Sequence, residues 1–526
     1  MKWQIAGHTL TVIFILAVHV AAWGWMTIGV LRYGGDGPLS RLVAGMAAGF
    51  ILFGAEIFAL GHLGLLKRHV FEISALLSFA ALFQLRKHLA EDLAGLRAAI
   101  RQSWRDERFL TIACFAVLAV VFVSGLRPPF EKDELGYHWL TPQLWAQQGK
   151  WVASPHRLSN GPALAEMLYT VSALWNAPTA AHWTHSIFLI LLMGACGVLA
   201  RCVGGSAVAA AAIVVSCPAI IMQASISYND IAAAALAIAG LAALLSGTVT
   251  GAGERNWEKG TLLLAGICFA GAASVKPFLG IVPIIAAGLM LVADWRANGI
   301  SWILFSRWIR SAQIVVLPTL LAYGIWVAHT YALIGQPIDK NGMIITSDPN
   351  DPRWVRGWAA GRIPSLKDVI ELPFTPVIAA VAGRREPYGG RLDPLIVVAP
   401  LLLLVMRGQL TSRQKHAALF VLVAGTLYFF GLGPVFIKTR FHIFTWGCLA
   451  ALGGTGYLHF RKEKTAKFRA TILAFHLLAV FGMADGIHDI VHGLPAIISH
   501  GNWDEPPGGT LARTDKSQPA PGVFER

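Results

Sequence analysis

Charge is scarce in this sequence. Of 526 residues only 14% are Asp, Glu, Lys or Arg, against 55% hydrophobic and a mean hydropathy of +0.58, where a soluble domain carries about 25% charged residues. That scarcity excludes a soluble enzyme. Cysteine is sparse too: Cys114, Cys196, Cys202, Cys217, Cys268 and Cys448 all fall in or beside apolar segments, none in a long polar loop. Neither a disulfide framework nor a cysteine-built zinc site is indicated. No repeat of about 20 to 50 residues is evident, no pair of Gly/Pro-broken segments in the two halves, and no P-loop. Acid is the scarcer sign, 29 Asp and Glu against 43 Lys and Arg for a net charge of +14. In a soluble chain that excess would invite nucleic acid; here it reflects topology, and no nucleic-acid partner is expected.

What is present is a succession of nearly uncharged apolar stretches long enough for bilayer spans. They lie near 9–31, 41–66, 69–85, 109–126, 179–200, 206–226, 231–246, 260–275, 277–293, 313–334, 393–406, 416–433, 441–458 and 468–484. The pattern predicts an all-α, polytopic transmembrane helical bundle of about 13 spans, 12 to 14, with surface helices in its first large external loop. The first stretch is too long for a signal-peptide core and should stay as a span. Arg86, Lys87, Arg97, Arg101, Arg105 and Arg108 place 86–108 in the cytoplasm by the positive-inside rule. Alternation then puts 127–178, 335–392 and the tail from 485 outside. The short segment 69–85, which holds Glu72, is expected to lie in the interface, leaving the N-terminus and Lys67-Arg68 cytoplasmic. The chain thus divides into an N-terminal hydrophobic extension (1–108), a transmembrane region (109–484) and an external tail (485–526) with a disordered, Pro-rich end at 505–526.

Ionisable groups collect at the external ends of spans, where they are costly unless functional or able to snorkel. The first place is Arg127-Pro-Pro-Phe-Glu131-Lys-Asp133-Glu134-Leu-Gly-Tyr137-His138-Trp139. On a helix Asp133 shares a face with Tyr137, and Glu134, turned about 100° away, with His138, so only one carboxylate easily addresses a given pocket. The segment runs through Trp145 to Gly149-Lys150-Trp151 and reads as an interfacial helix ended by Gly149; a solvated amphipathic loop helix would look the same. The second is Ser227-Tyr228-Asn229-Asp230, where Asp230 either caps the next helix or orients a substrate. The third is Lys276, between two apolar runs, a snorkelling or functional cation. The fourth is Lys438-Thr-Arg440-Phe-His442. Two cations at external helix ends suit a lipid phosphate. The segment 335–392 adds Arg353, Arg356, Arg362, Arg384, Arg385 and Arg391 among Trp354, Trp358 and Tyr388, a mixture suited to phosphate, sugar or lipid headgroups.

Asp133-Glu134-x-x-Tyr137 followed by Gly149-x-Trp151, directly after a span, resembles the GT-C glycosyltransferases, most of all the branch of the protein O-mannosyltransferases and the lipid A aminoarabinose transferase. Asn160-Gly161-Pro162 before a surface helix at 163–175 stands where that family often has a Lys-Pro-Pro-Leu-like turn. Asp230, Lys276 and Arg440-Phe441 match its later external corners. The resemblance covers roughly 109–300 well and the rest by architecture. It implies a multi-pass enzyme of a bacterial-type plasma (inner) membrane with its active site on the periplasmic face. It also implies a polyprenyl-phosphate-linked sugar donor, a lipid, glycan or protein acceptor, and inverting displacement. By analogy Asp133 is the general base, Glu134 or Asp230 orients acceptor or base, Tyr137 and His138 contact substrate, and Lys276 and Arg440 neutralise the departing phosphate. No cofactor or metal is required, although Asp133, Glu134, His138 and Asp230 could together hold Mn or Mg. The competing classes are a transporter or flippase for a lipid-linked or anionic solute, which would want its acids near the midplane, as Glu56 is, and an O-antigen ligase-like transferase.

Overall fold

The structure, a computed structural model, describes residues 2–131, 133–154, 159–247, 258–298, 302–337, 393–432, 439–463 and 466–500. Among these residues there are seventeen α-helices and no strand. They are α1 (Lys2–Val30), α2 (Pro38–His62), α3 (Arg68–Asp106), α4 (Arg108–Ser124), α5 (Leu140–Gln148), α6 (Leu164–Leu174), α7 (Pro178–Cys202), α8 (Ala207–Val215) and α9 (Pro218–Ala224), then α10 (Asp230–Ser246), α11 (Lys259–Val275), α12 (Val282–Asn298), α13 (Trp302–Ile334), α14 (Pro394–Met406), α15 (Ser412–Leu432), α16 (Ile443–Lys462) and α17 (Ala466–His500). Each of the fourteen apolar stretches is helical. Among the described residues six helices are long and apolar enough to cross a bilayer, or eight if two bent pairs each count as one span. This is a multi-pass helical membrane protein.

Lipid tails are as apolar as leucine, so helices associate where small residues admit a neighbour's backbone. Gly45 and Gly49, one turn apart on α2, do this for α1: a Cβ on Gly49 would lie 2.0 Å from Val20 O, and one on Gly24 would lie 2.1 Å from Gly45 O. Gly205 and Gly454 bring the α7–α8 corner against α16 in the same way. Proline sets the breaks. Pro218 opens α9 after an 80° bend, and Pro318 and Pro400 lie inside α13 and α14, each removing one ladder hydrogen bond.

The contacts define two ends of the bundle. At one end Leu66 N–H donates to Gly149 O (3.0 Å), and Arg68 Nε to Leu174 O. At the other, Arg41 Nε bonds Asp92 Oδ1 (2.8 Å) and Tyr33 Oη meets Ser246 Oγ at 2.6 Å. Helix α3 therefore runs from one end to the other instead of lying in the interface at 69–85. Lys67-Arg68 and the start of α1 sit at the same end as the 127–154 loop, opposite to the basic stretch 86–108. Period and charge of 69–85 alone do not reveal this; the anchors are Phe71 and Ala75, buried against the bundle, and the Asp92–Arg41 pair. At the far end α3 turns 120° into α4 at Glu107, whose carboxylate accepts from Ser206 Oγ (2.6 Å) and pairs with Arg461 Nη1 (3.2 Å).

The loop after α4 also departs from expectation. Glu134–His138 is a turn of π-helix, with Trp139 N–H reaching Glu134 O at 2.8 Å. The extra residue per turn changes which side chains share a face. Helix α5 follows and ends, as expected, at Gly149, whose φ of +67° suits glycine. Helix α6, expected on the surface, is buried along nearly its whole length. It packs inward because its polar groups find partners there, Glu166 with His138 and Asn229 and Tyr169 Oη with Tyr228 O, while Leu164 fills the space at Gly54 of α2.

Candidate active site

Four helix ends meet where the loop after α4 crosses the bundle. Asp230 is the first residue of α10, with Asn229, not Asp230, in the N-cap position. Lys276 terminates α11, held extended before Pro277. Arg440 lies in a 3₁₀ turn leading into α16. Asp133 opens the π-turn. Each thus sits where a helix stops and its side chain can turn along the membrane surface.

Their side chains converge. Lys276 Nζ is 2.6 Å from Asp230 Oδ1, and Arg440 Nη2 is 3.0 Å from Asp133 Oδ2. Aromatic rings hold both cations: Lys276 Nζ lies 4.7 Å from the Phe441 ring centre, and the Arg440 guanidinium lies 5.3 Å from those of Phe441 and Tyr228. Burial works against the Arg440 charge, but Asp230 and Asp133 more than offset it and raise its pKa. Between the cations and the rings of Phe278, Tyr428, Phe441 and Phe444 lies a narrow, partly open cleft, also lined by Ala233 and Ala234. A cleft with apolar walls and cations at one rim suits the junction of an anionic headgroup with a hydrocarbon chain. Tyr137 stacks on His138 at 4.0 Å between ring centres. Burial, then Asp133, pushes its phenol well above the usual range, so it stays protonated.

The second carboxylate of the pair is placed differently. Glu134 is fully buried; its Oε1 accepts from Ser227 N–H (2.9 Å), Ser227 Oγ (2.6 Å) and His182 Nε2 (2.5 Å), and its Oε2 from Phe130 N–H (3.0 Å). Burial alone would raise its pKa, but His182 and Ser227 outweigh burial and hold it at about 2. Glu134 does not pair with His138. That histidine bonds Glu166 Oε1 through Nδ1 at 2.6 Å, and Asn229 Nδ2 donates to the same oxygen at 2.9 Å. The π-turn and two partners from α6 and α7 replace the face-sharing that an α-helix would impose. Arg127, buried beneath Phe130, donates to Ser225 Oγ at 2.8 Å; burial lowers its pKa to about 10 despite nearby Glu134 and Glu131.

Asp133, Glu134, His138 and Asp230 therefore do not form one ligand set, because Glu134 and His138 are turned to His182 and Glu166. Among the described residues no group of three or more His, Cys, Asp or Glu could hold a metal ion. Lys438, the arginines and aromatics of 338–392 and the tail 505–526 lie outside the described residues. Glu166 and His182 support the site without having been singled out from sequence, and Ser227, named only as part of the 227–230 run, holds Glu134. A lone acid in the apolar run 163–175 and a histidine in the span 179–200 were the available signals.

No protein-family model matches this chain, and no curated protein matches it. Solved structures do resemble it. The chain is similar to ArnT from Cupriavidus metallidurans bound to undecaprenyl phosphate, at 16% identity and a TM-score of 0.49 over 77% of this chain and 81% of that one. It is also similar to the apo oligosaccharyltransferase of Archaeoglobus fulgidus, at 11% identity and a TM-score of 0.44 over 74% of this chain and 56% of that one. The archaeal oligosaccharyltransferase AglB from the same organism, in complex with an inhibitory peptide and a dolichol-phosphate, matches at 12% identity and a TM-score of 0.41 over 72% and 56%.

Proposed function

We propose that this protein is a membrane glycosyltransferase that moves a sugar from a polyprenyl-phosphate donor to an acceptor hydroxyl at the external, periplasmic face of a bacterial-type inner membrane. One observation carries the reading: the Asp133 carboxylate and the cations Arg440 and Lys276 share one membrane-end site, with Arg440 3.0 Å from Asp133. A base and a phosphate clamp are the two groups that sugar transfer from a lipid phosphate requires. In-line displacement inverts the anomeric centre: Asp133 takes the acceptor proton as its oxygen attacks, and the phosphate departs as an anion matched by Lys276 and Arg440. The phosphate leaving group needs no protonation when its charge is matched, which fits two cations and no nearby acid assigned to donate. Asp230 holds Lys276 in place, Tyr137 and His138 line the acceptor side, and Glu134 positions the loop that carries Asp133. The prenyl chain lies along the aromatic cleft, and the acceptor is a lipid, glycan or protein hydroxyl.

The test supplies purified protein in lipid nanodiscs with undecaprenyl-phosphate-linked sugars and measures release of free undecaprenyl phosphate. Acceptor-dependent release supports the reading. Donor translocation across a bilayer without release would instead identify a flippase.

A further inference from the structure

The two cations of the cleft are already engaged. Arg440 Nη2 sits 3.0 Å from Asp133 Oδ2, and Lys276 Nζ sits 2.6 Å from Asp230 Oδ1. The two carboxylates therefore occupy positions on the cations that a phosphate would also seek. The Arg440 pair is the less enclosed of the two: the Asp133 side chain is 34% exposed, whereas Asp230 is 2% exposed. The guanidinium also holds unused capacity, since its buried Nε–H has no hydrogen-bond partner among the described residues. The guanidinium carbon lies 5.3 Å from the ring centres of both Tyr228 and Phe441, contacts that favour the cation without using its N–H donors.

Resting on the glycosyltransferase reading, we propose that Arg440 is a partner-exchanging residue that holds Asp133 until the donor phosphate arrives and then transfers its hydrogen bonds to that phosphate, freeing Asp133 to take the acceptor proton. Arg440 can satisfy the carboxylate or a phosphate bidentately, but not both with the same pair of N–H groups. A partly exposed pair is the weaker and exchanges; a buried one resists. Lys276 and Asp230 then serve as the fixed element of the clamp, and Arg440 and Asp133 as the moving one. The base is thereby uncovered only in the presence of bound donor.

Breaking the resting ion pair is a cost that donor binding must meet, so it weakens apparent affinity. Removing it should tighten binding. The measurement is the dissociation constant of undecaprenyl phosphate for the full-length protein in nanodiscs. Arg440→Gln should weaken binding by about tenfold. Asp133→Asn should tighten it by about three- to tenfold, a range set by the modest strength of a partly exposed pair, and Asp133→Asn should have no effect in the Arg440→Gln background. If the tightening persists in that background, it comes from lost repulsion between Asp133 and the phosphate, and exchange is overturned. Unchanged affinity in Asp133→Asn overturns it as well. Wild-type protein that binds no undecaprenyl phosphate at all would instead refute the donor assignment on which the proposal stands.

Discussion

Glu134 Oε1 and His182 Nε2 lie 2.5 Å apart with both side chains fully buried, and His182 Nδ1 lies 3.0 Å from Gly125 O. Both ring nitrogens of His182 face oxygen atoms, so the ring is held between the Glu134 carboxylate and the Gly125 carbonyl. It ties the π-turn to α7, and through Ser227 to the entrance of α10. Asp133 and Glu134 are neighbours in sequence with opposite environments: one is partly exposed and pairs with Arg440, the other is enclosed.

The first prediction follows from that enclosure. Removing one partner of a buried pair costs about 3–5 kcal/mol because the other charge stays buried and unpaired. Glu134→Ala and His182→Ala should each lower the thermal unfolding temperature of the detergent-solubilised protein clearly, whereas Asp133→Asn should leave it unchanged. Equal stability of all three variants would show that the pair does not anchor the loop.

The second concerns acid. The Glu134 carboxyl titrates at about 2 in the folded protein against an ordinary value of 4.5. A depressed carboxylate contributes stability that is fully present above the unfolded value and is lost as the pH falls through the folded one. Thermal stability should therefore decline as pH drops from about 4.5 towards 2. Glu134→Gln should begin lower and show a shallower decline over that window. A decline of the same steepness in the variant would assign the acid sensitivity to other groups.

A third prediction tests the corrected course of α3. Since α3 traverses the bundle, the N-terminus and the 127–154 loop lie on one face and the basic stretch 86–108 on the other. All six native cysteines are buried, so an introduced Gln147→Cys, on an exposed position of α5, gives a clean label. In intact cells it should react with an impermeant maleimide, a protease-cleavable tag at the N-terminus should be cut from the same side, and Arg97→Cys should react only after permeabilisation. A tag protected while Gln147→Cys reacts would return α3 to the interface.

These cases show what is legible in the chain and why. All fourteen apolar stretches are helices because a bilayer leaves the backbone no other partner than itself, and hydropathy records that constraint directly. Asp230, Lys276 and Arg440 could be placed at one end because each stands at the end of an apolar run and alternation from the basic stretch 86–108 puts those ends on one side. The turn at Glu134–His138 was not legible: a single inserted residue changes no composition yet re-aims two side chains. Nor were the partners of Glu134 and His138, since His182 and Glu166 lie 48 and 28 residues away, and local spacing carries no information about such pairs. The long helix α3 was misplaced because only three of its residues are buried, so its periodicity reports little about what it packs on.

The last prediction separates the two neighbouring acids by function. If Asp133 is the base, its loss removes proton transfer from the attacking hydroxyl, which typically costs about 10² to 10⁴ in rate. Asp133→Asn keeps the size of the side chain while abolishing its basicity and its ion pair with Arg440, so sugar transfer should nearly vanish while protein level and fold are retained and the donor phosphate is bound more tightly, not lost. Glu134 has no such role open to it, because both carboxylate oxygens accept hydrogen bonds within the protein. Glu134→Gln should therefore lose activity in proportion to lost stability and recover part of it on cooling, whereas Asp133→Asn should not recover at any temperature. Lys276→Ala supplies the third arm: with the phosphate clamp weakened and the base intact, transfer should slow by more than about tenfold, equivalent to about 1.4 kcal/mol in the transition state. Full transfer by Asp133→Asn would exclude it as the base, and full transfer by Asp133→Asn and Lys276→Ala alike would remove the catalytic reading of the cleft.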